Sequence, residues 1–169
     1  SSTRRYRDWK PEGHGVVNLE KAIVQSCDVY FYMLAKNLGI NEISSFFRKF
    51  SFGQRTGIDM PFESKGVLPS PKWKLKNVGN KWTEGDTVIT GIGQGYFLTT
   101  PIQLLYAASI IANKGLIVIP KLNKNIGREK DEKLLEKENF LKNDIDDDWW
   151  EVINESMYKV VNEKNGTAF

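Results

Sequence analysis

From Asn18 to Leu38 apolar residues recur every three or four positions: Leu19, Ala22, Ile23, Val29, Tyr30, Met33, Leu34 and Leu38. That spacing lines one face of a helix. The pattern breaks at Ser26-Cys27-Asp28, so two helical pieces are expected, the first capped by Asn18 and the second closed by Gly39. Asn41 opens another helix, with Ile43, Phe46, Phe47 and Phe50 on one face and a stop before Gly53. Residues 53–101 are dense in Gly, Pro and Thr and read as a long ordered connection of turns and short strands. Thr100-Pro101-Ile102-Gln103 joins a threonine cap, a first-turn proline and a glutamine that reaches back, which predicts a helix to about Asn113 closed by Gly115. Leu116 to Pro120 is short, β-branched and ended by proline, hence a predicted strand. Residues 121–145 are rich in lysine and acid and predict a solvated, charged excursion. Asp146 to Asp148 then load the first turn of a last helix, where negative charge suits the helix dipole, with Trp150, Ile153, Met157, Val160 and Val161 as its buried stripe. A lone strand needs partners, so the pattern implies that most of a sheet lies outside this chain.

Composition narrows the function classes. The 169 residues are 40% hydrophobic, which suits one domain of ordinary size. Lys and Arg number 24 against 21 acids, a formal +3 spread along the chain, so the clustered basic face that nucleic acid requires is missing. The single cysteine cannot form an intrachain disulfide. No apolar run reaches the roughly 20 residues that span a bilayer.

Ser26-Cys27-Asp28 admits two readings. As plain structure, Ser26 caps the second helical piece and Asp28 occupies its first turn. As chemistry, a hydroxyl that passes protons and a carboxylate that accepts a substrate amide line a cleft at a helix junction. Asp8, His14 and Cys27 bring together the only His, the only Cys and an acid, the S, N and O ligand types of a structural zinc site. A buried thiol and a surface imidazole that never meet is the plainer alternative. The glycines of "EGDTVITGIGQG" lack the strand, loop and helix order of a phosphate-binding loop, and Gly91, Gly93 and Gly95 are expected to allow close backbone packing near the cleft.

Four stretches carry more information than any single residue. "VQSCDVYFYMLAKNLGI", "FGQRTGIDMPFESKGVLPSPKWK", "WTEGDTVITGIGQGYFLTTPIQLLYAASIIANKG" and the closing "VVNEKNGTA" resemble, in that order, the transpeptidase domain of class B penicillin-binding proteins, above all the elongation-type branch, penicillin-binding protein 2. The resemblance implies an α+β, β-lactamase-like serine transpeptidase fold, of which residues 1–169 would be the predominantly helical portion. It also implies three active-site boxes: S-x-x-K with the nucleophile, S-x-N, and K-[ST]-G on a strand. Ser26-Cys27-Asp28 matches the middle box, with Asp28 in the place usually held by Asn. Ser26 would then relay a proton between the lysines of the other boxes, and Asp28 would face the incoming peptide. Ser156-Met157-Tyr158-Lys159 fits S-x-x-K, but ten serines and eighteen lysines produce about one such match by chance, and it follows the middle box instead of preceding it. Ser156 is therefore read as a helix-surface residue, and "NGTA" as the segment that precedes the third box.

By this resemblance the chain is an interior piece of a peptidoglycan D,D-transpeptidase, carrying one box of three and inactive alone. The whole protein would cross-link stem peptides through a serine acyl-enzyme during cell elongation and would be acylated by β-lactams. It would stand at the periplasmic face of the bacterial inner membrane on an N-terminal anchor, beside a glycan-polymerising membrane partner and a rod-shape scaffold protein. No cofactor is required for this chemistry. Two readings from other classes remain: a non-catalytic penicillin-recognising sensor or scaffold of the same fold, and a protein-interaction module that uses residues 121–145.

Overall fold

Side-chain caps start most of the helices. In the computed structural model, which describes residues 6–123 and 145–169, Asn18 accepts from the Lys21 amide to open α1 (Leu19–Val24). Helix α2 covers Asp28–Lys49 but is broken at Gly39, whose φ of 77° and ψ of 159° divide it into the two predicted pieces. Two further helices lie in the stretch read as turns. Ser70 caps α3 (Pro71–Val78), with a proline in its first turn, and a Thr83–Asp86 capping box opens α4 (Glu84–Thr90). A second capping box, Thr100–Gln103, opens α5 (Pro101–Ala112), and α6 is Asp147–Asn162. Among the described residues no helix is long and apolar enough to cross a membrane. Most of the predicted excursion, residues 124–144, lies outside the described residues.

The chain divides into two units. The first comprises Ser1–Ile43, Pro69–Tyr96 and Glu155–Phe169. Its core holds Ala22, Val24, Cys27, Ala35 and Val88. Gly91 earns its place here, because a Cβ on it would sit 2.4 Å from the Ala35 Cβ, so only glycine lets the end of α4 approach α2 this closely. Lys74 and Asp86 form a buried ion pair at 2.7 Å, with side-chain exposures of 7% and 15%. Asp86 Oδ2 also accepts from the Thr83 amide and hydroxyl, each at 2.7 Å, which ties the pair to the cap of α4.

The second unit comprises Ser44–Leu68 and Phe97–Asn154. Phe50, Tyr106, Ala107, Ile110, Ile117 and Trp150 make its core, with Phe52, Ile111 and Ile145 packed against it. Gln103 is fully buried. Its Oε1 accepts from the Thr100 amide at 3.0 Å, while its Nε2 faces the carbonyls of Ser51 at 3.1 Å, Gln54 at 2.7 Å and Lys65 at 2.9 Å. One side chain thus caps α5 and holds two loops.

Three sequence expectations change. Residues 116–120 form no ladder among the described residues, where the sole pairing is the isolated antiparallel bridge of Val67 with Leu98. β-branched residues make a strand only where another strand supplies hydrogen-bond partners. In α6, Trp150 is buried but Met157 and Val161 are exposed. Ser156 is fully buried instead of lying on the helix surface. The inward row therefore passes through Trp150, Ile153, Ser156 and Val160, a three-and-four spacing that admits a small polar residue.

Candidate functional site

The turn between α1 and α2 holds Ser26 and Cys27 and leads into Asp28. Helix α1 ends with Ser26 in the left-handed region, at φ 50°. The Ser26 amide donates to the Ile23 carbonyl at 3.2 Å and the Cys27 amide to the Ala22 carbonyl at 2.9 Å. This pair of bonds is a Schellman close, in which the left-handed position is usually glycine because a Cβ there is strained. Ser26 therefore terminates α1 and does not cap α2, which corrects the plain structural reading of the sequence. Its side chain is exposed, and its Oγ lies 2.7 Å from the Thr167 Oγ1.

A latch from residues 8–14 holds this turn. Trp9 Nε1 donates to the carbonyls of Gln25 at 3.0 Å and Ser26 at 3.1 Å. Asp8 Oδ2 accepts from the Val29 amide at 3.4 Å, so an acid 21 positions away serves the unsatisfied start of α2. Lys21 Nζ donates to the His14 carbonyl at 2.9 Å and the Val16 carbonyl at 3.1 Å.

Asp8, His14 and Cys27 meet behind the turn. One ligand atom from each lies within 4.8 Å of the others. All three side chains are buried, with exposures of 2% for His14 and 5% for Asp8 and a buried Cys27. His14 Nε2 lies 3.0 Å from Asp8 Oδ1 and Nδ1 lies 3.1 Å from Gln25 Oε1. Burial favours the neutral Asp8 carboxyl, but bonds from the Lys10 amide, His14 and the Val29 amide outweigh it and hold the acid below its ordinary range. Burial pushes the Cys27 thiol up, and Asp8 adds to that shift. A cavity of about 580 Å³, lined by Asp8, His14, Cys27, Tyr30, Met33 and Leu34 among others, adjoins the cluster.

Asp28 opens α2 one residue beyond Cys27 and is half-buried. Burial raises its carboxyl above the ordinary range, the negative Asp8 raises it further, and His14 partly opposes both. Ser26 and Asp28 thus flank the turn, while Cys27 between them turns inward to Asp8 and His14. The sequence reading missed three contributors: Trp9 and Gln25, which fix the turn and the imidazole, and Thr167, which meets Ser26 from the far end of the chain.

The sequence matches the transpeptidase family, described as the penicillin-binding protein transpeptidase domain, along residues 1–169. The chain belongs to this family. The chain is 49% identical over 118 residues to the peptidoglycan D,D-transpeptidase MrdA of Acinetobacter baumannii, covering 70% of this chain and 18% of the relative. It is 39% identical over 168 residues to the MrdA of Escherichia coli (strain K12), covering 99% of this chain and 26% of the relative. Among solved structures, the penicillin-binding protein PBP2 of Helicobacter pylori in complex with MreC superposes with a TM-score of 0.83 at 37% identity, covering 100% of this chain and 30% of that one. The chain therefore spans about a quarter of the length of the E. coli relative. The helical architecture of the described residues is the predominantly helical part of this family's α+β fold.

Proposed function

We propose that this chain is part of a peptidoglycan D,D-transpeptidase that cross-links stem peptides during cell elongation. The observation that carries the reading is Ser26 exposed on a strained, latched turn, with Asp28 two residues on, inside a chain that matches the transpeptidase family from end to end. In the reaction, a serine from outside these residues attacks the D-alanyl-D-alanine end of a stem peptide and D-alanine leaves. The amine of a neighbouring strand then resolves the acyl-enzyme. Ser26 passes a proton between the lysines of the other two boxes, and Asp28 accepts a hydrogen bond from the peptide. β-Lactams acylate the same nucleophile. Residues 1–169 alone are inactive, because nucleophile and base lie elsewhere and Ser156 is buried. The complex of the H. pylori relative with MreC supports a rod-shape scaffold partner for the whole protein. We assign a glycan-polymerising partner, the periplasmic face of the inner membrane and an N-terminal anchor on the same family grounds.

The cluster of Asp8, His14 and Cys27 supports a structural zinc. The donors are of the right types and buried, and with the Nδ1 hydrogen of His14 directed to the facing Gln25 Oε1, Nε2, which lies 3.0 Å from Asp8 Oδ1, would be left for a metal to share with that acid. A cation there would favour the thiolate of Cys27, which burial otherwise disfavours, and would brace the turn that holds Ser26. Among the described residues no fourth His, Cys, Asp or Glu joins these three, so a zinc held here would need a further ligand.

Both readings are tested on the whole protein. Labelling by a fluorescent penicillin is expected to slow in Ser26→Ala, and an unchanged rate would overturn the relay role. A covalent adduct on Ser156 would overturn the assignment of the nucleophile. Metal analysis is expected to find zinc in the native protein and to lose it in Cys27→Ser; zinc in neither ends the metal proposal.

A further inference from the structure

The closing "NGTA" segment has no part in the chemistry described so far, yet it meets the relay serine. Thr167 Oγ1 lies 2.7 Å from Ser26 Oγ. The segment is held on both sides of this contact: the Thr167 amide donates to the Val24 carbonyl at 3.2 Å and the Ala168 amide to the Val160 carbonyl at 3.1 Å. Gly166 fits tightly, since a Cβ on it would fall 2.2 Å from the Val160 carbonyl oxygen. Thr167 therefore presents its hydroxyl from a fixed backbone.

We propose that Thr167 is a positioning residue for the Ser26 hydroxyl, selecting the one rotamer in which Oγ serves proton transfer. The proposal rests on the reading of Ser26 as the relay. A serine hydroxyl has three staggered positions, and one fixed partner singles out one of them. With Thr167 as the donor, Ser26 Oγ accepts on one lone pair and keeps its second lone pair for an incoming proton and its own hydrogen for the outgoing one, so the relay loses nothing. Stability does not explain the arrangement. An exposed bond between two hydroxyls contributes little, and the left-handed turn that carries Ser26 is better served by glycine. A strained backbone that places a hydroxyl against a fixed hydroxyl is the kind of outlier that points to function. Thr167 touches no reacting atom and acts only through Ser26.

The test is the acylation rate of the whole protein by a fluorescent penicillin, measured across pH in Thr167→Val, Thr167→Ser, Ser26→Ala and the Ser26→Ala/Thr167→Val double variant. Thr167→Val keeps the shape of threonine and removes its hydroxyl. Its acylation rate is expected to fall about threefold, the order of one exposed hydrogen bond and of one rotamer selected from three, with penicillin binding before acylation unchanged. Thr167→Ser restores the rate. In the Ser26→Ala background Thr167→Val causes no further loss. A native rate in Thr167→Val overturns the proposal, as does a slow Thr167→Ser or an undiminished loss in the Ser26→Ala background. If Thr167→Val melts early, the Thr167→Ser rate and the double variant still decide. A native rate in Ser26→Ala is a separate result that overturns the relay reading itself.

Discussion

Replacing Ser26 by glycine should separate stability from activity. Ser26 holds φ at 50°, where a Cβ costs about 1–2 kcal/mol. Glycine removes that cost but adds about 0.5–1 kcal/mol by loosening the unfolded chain. Either glycine or alanine also loses the exposed bond to Thr167, worth about 0.5 kcal/mol. Alanine keeps the strain, so Ser26→Gly should exceed Ser26→Ala in local stability by about 0.5–1 kcal/mol, a two- to fivefold difference in exchange rate. This order is the reverse of that in a helix interior, where alanine is favoured over glycine by about 0.8–1 kcal/mol. The readout is hydrogen exchange of the Cys27 amide, which donates to the Ala22 carbonyl and opens only when the turn does. Penicillin acylation, followed in the same samples, should be equally slow in both variants. Equal or greater protection in Ser26→Ala would show that the turn is not strained as described. Native acylation in Ser26→Gly would refute the need for the hydroxyl.

Three other outcomes rest on the packing. Gln103→Leu should strand the carbonyls of Ser51, Gln54 and Lys65 and the Thr100 amide; at about 1–3 kcal/mol per unpaired group, partly relieved by water, the midpoint of thermal unfolding should drop by at least about 6 °C, and a fall under about 2 °C contradicts the hub. Lys74→Met leaves the buried Asp86 unpaired at a cost of about 3–5 kcal/mol. Burial alone would raise the Asp86 acid, but Lys74 and Thr83 outweigh it and hold it low. Stability from a depressed acid is present above the unfolded value of about 3.9 and is lost as pH falls through the folded one, so the native protein should lose more between pH 5 and 3 than Lys74→Met, as an acid titration of the melting midpoint will read. Gly91→Ala drives a methyl to 2.4 Å from the Ala35 Cβ and should cost about 1–3 kcal/mol. Ala35→Gly in the same chain should recover part of that loss in denaturant unfolding.

Much of this structure was legible where periodicity and caps agree. The two pieces of α2 were readable because apolar spacing continues to Gly39 and resumes at Asn41, and α5 because Thr100-Pro101 and Gln103 supply every element of its start. Helices α3 and α4 have the same signals in Ser70-Pro71 and Thr83 with Asp86, but the surrounding glycines and prolines concealed them. Ser156 shows the limit of reading a stripe from apolar residues: a small hydroxyl fits the inward row, and periodicity cannot distinguish it from a surface residue. At the site, residue types announced Asp8, His14 and Cys27, whereas the contacts that gather them did not. Trp9 reaches two backbone carbonyls, and a backbone acceptor has no signature in the sequence. Nor does a serine disclose a left-handed backbone in the way glycine would.

The bond between Ser26 and Thr167 closes a separation of 141 positions. A ribosome adding about 5–20 residues each second exposes Thr167 roughly 7–30 s after Ser26. Neighbours of Ser26 within the first thirty residues can shape its turn early, but the hydroxyl acquires its partner only when the end of the segment docks. Penicillin labelling is then expected only after both this contact and the third box, which follows "NGTA" in the family pattern, have formed, although α1 and α2 can be native-like earlier.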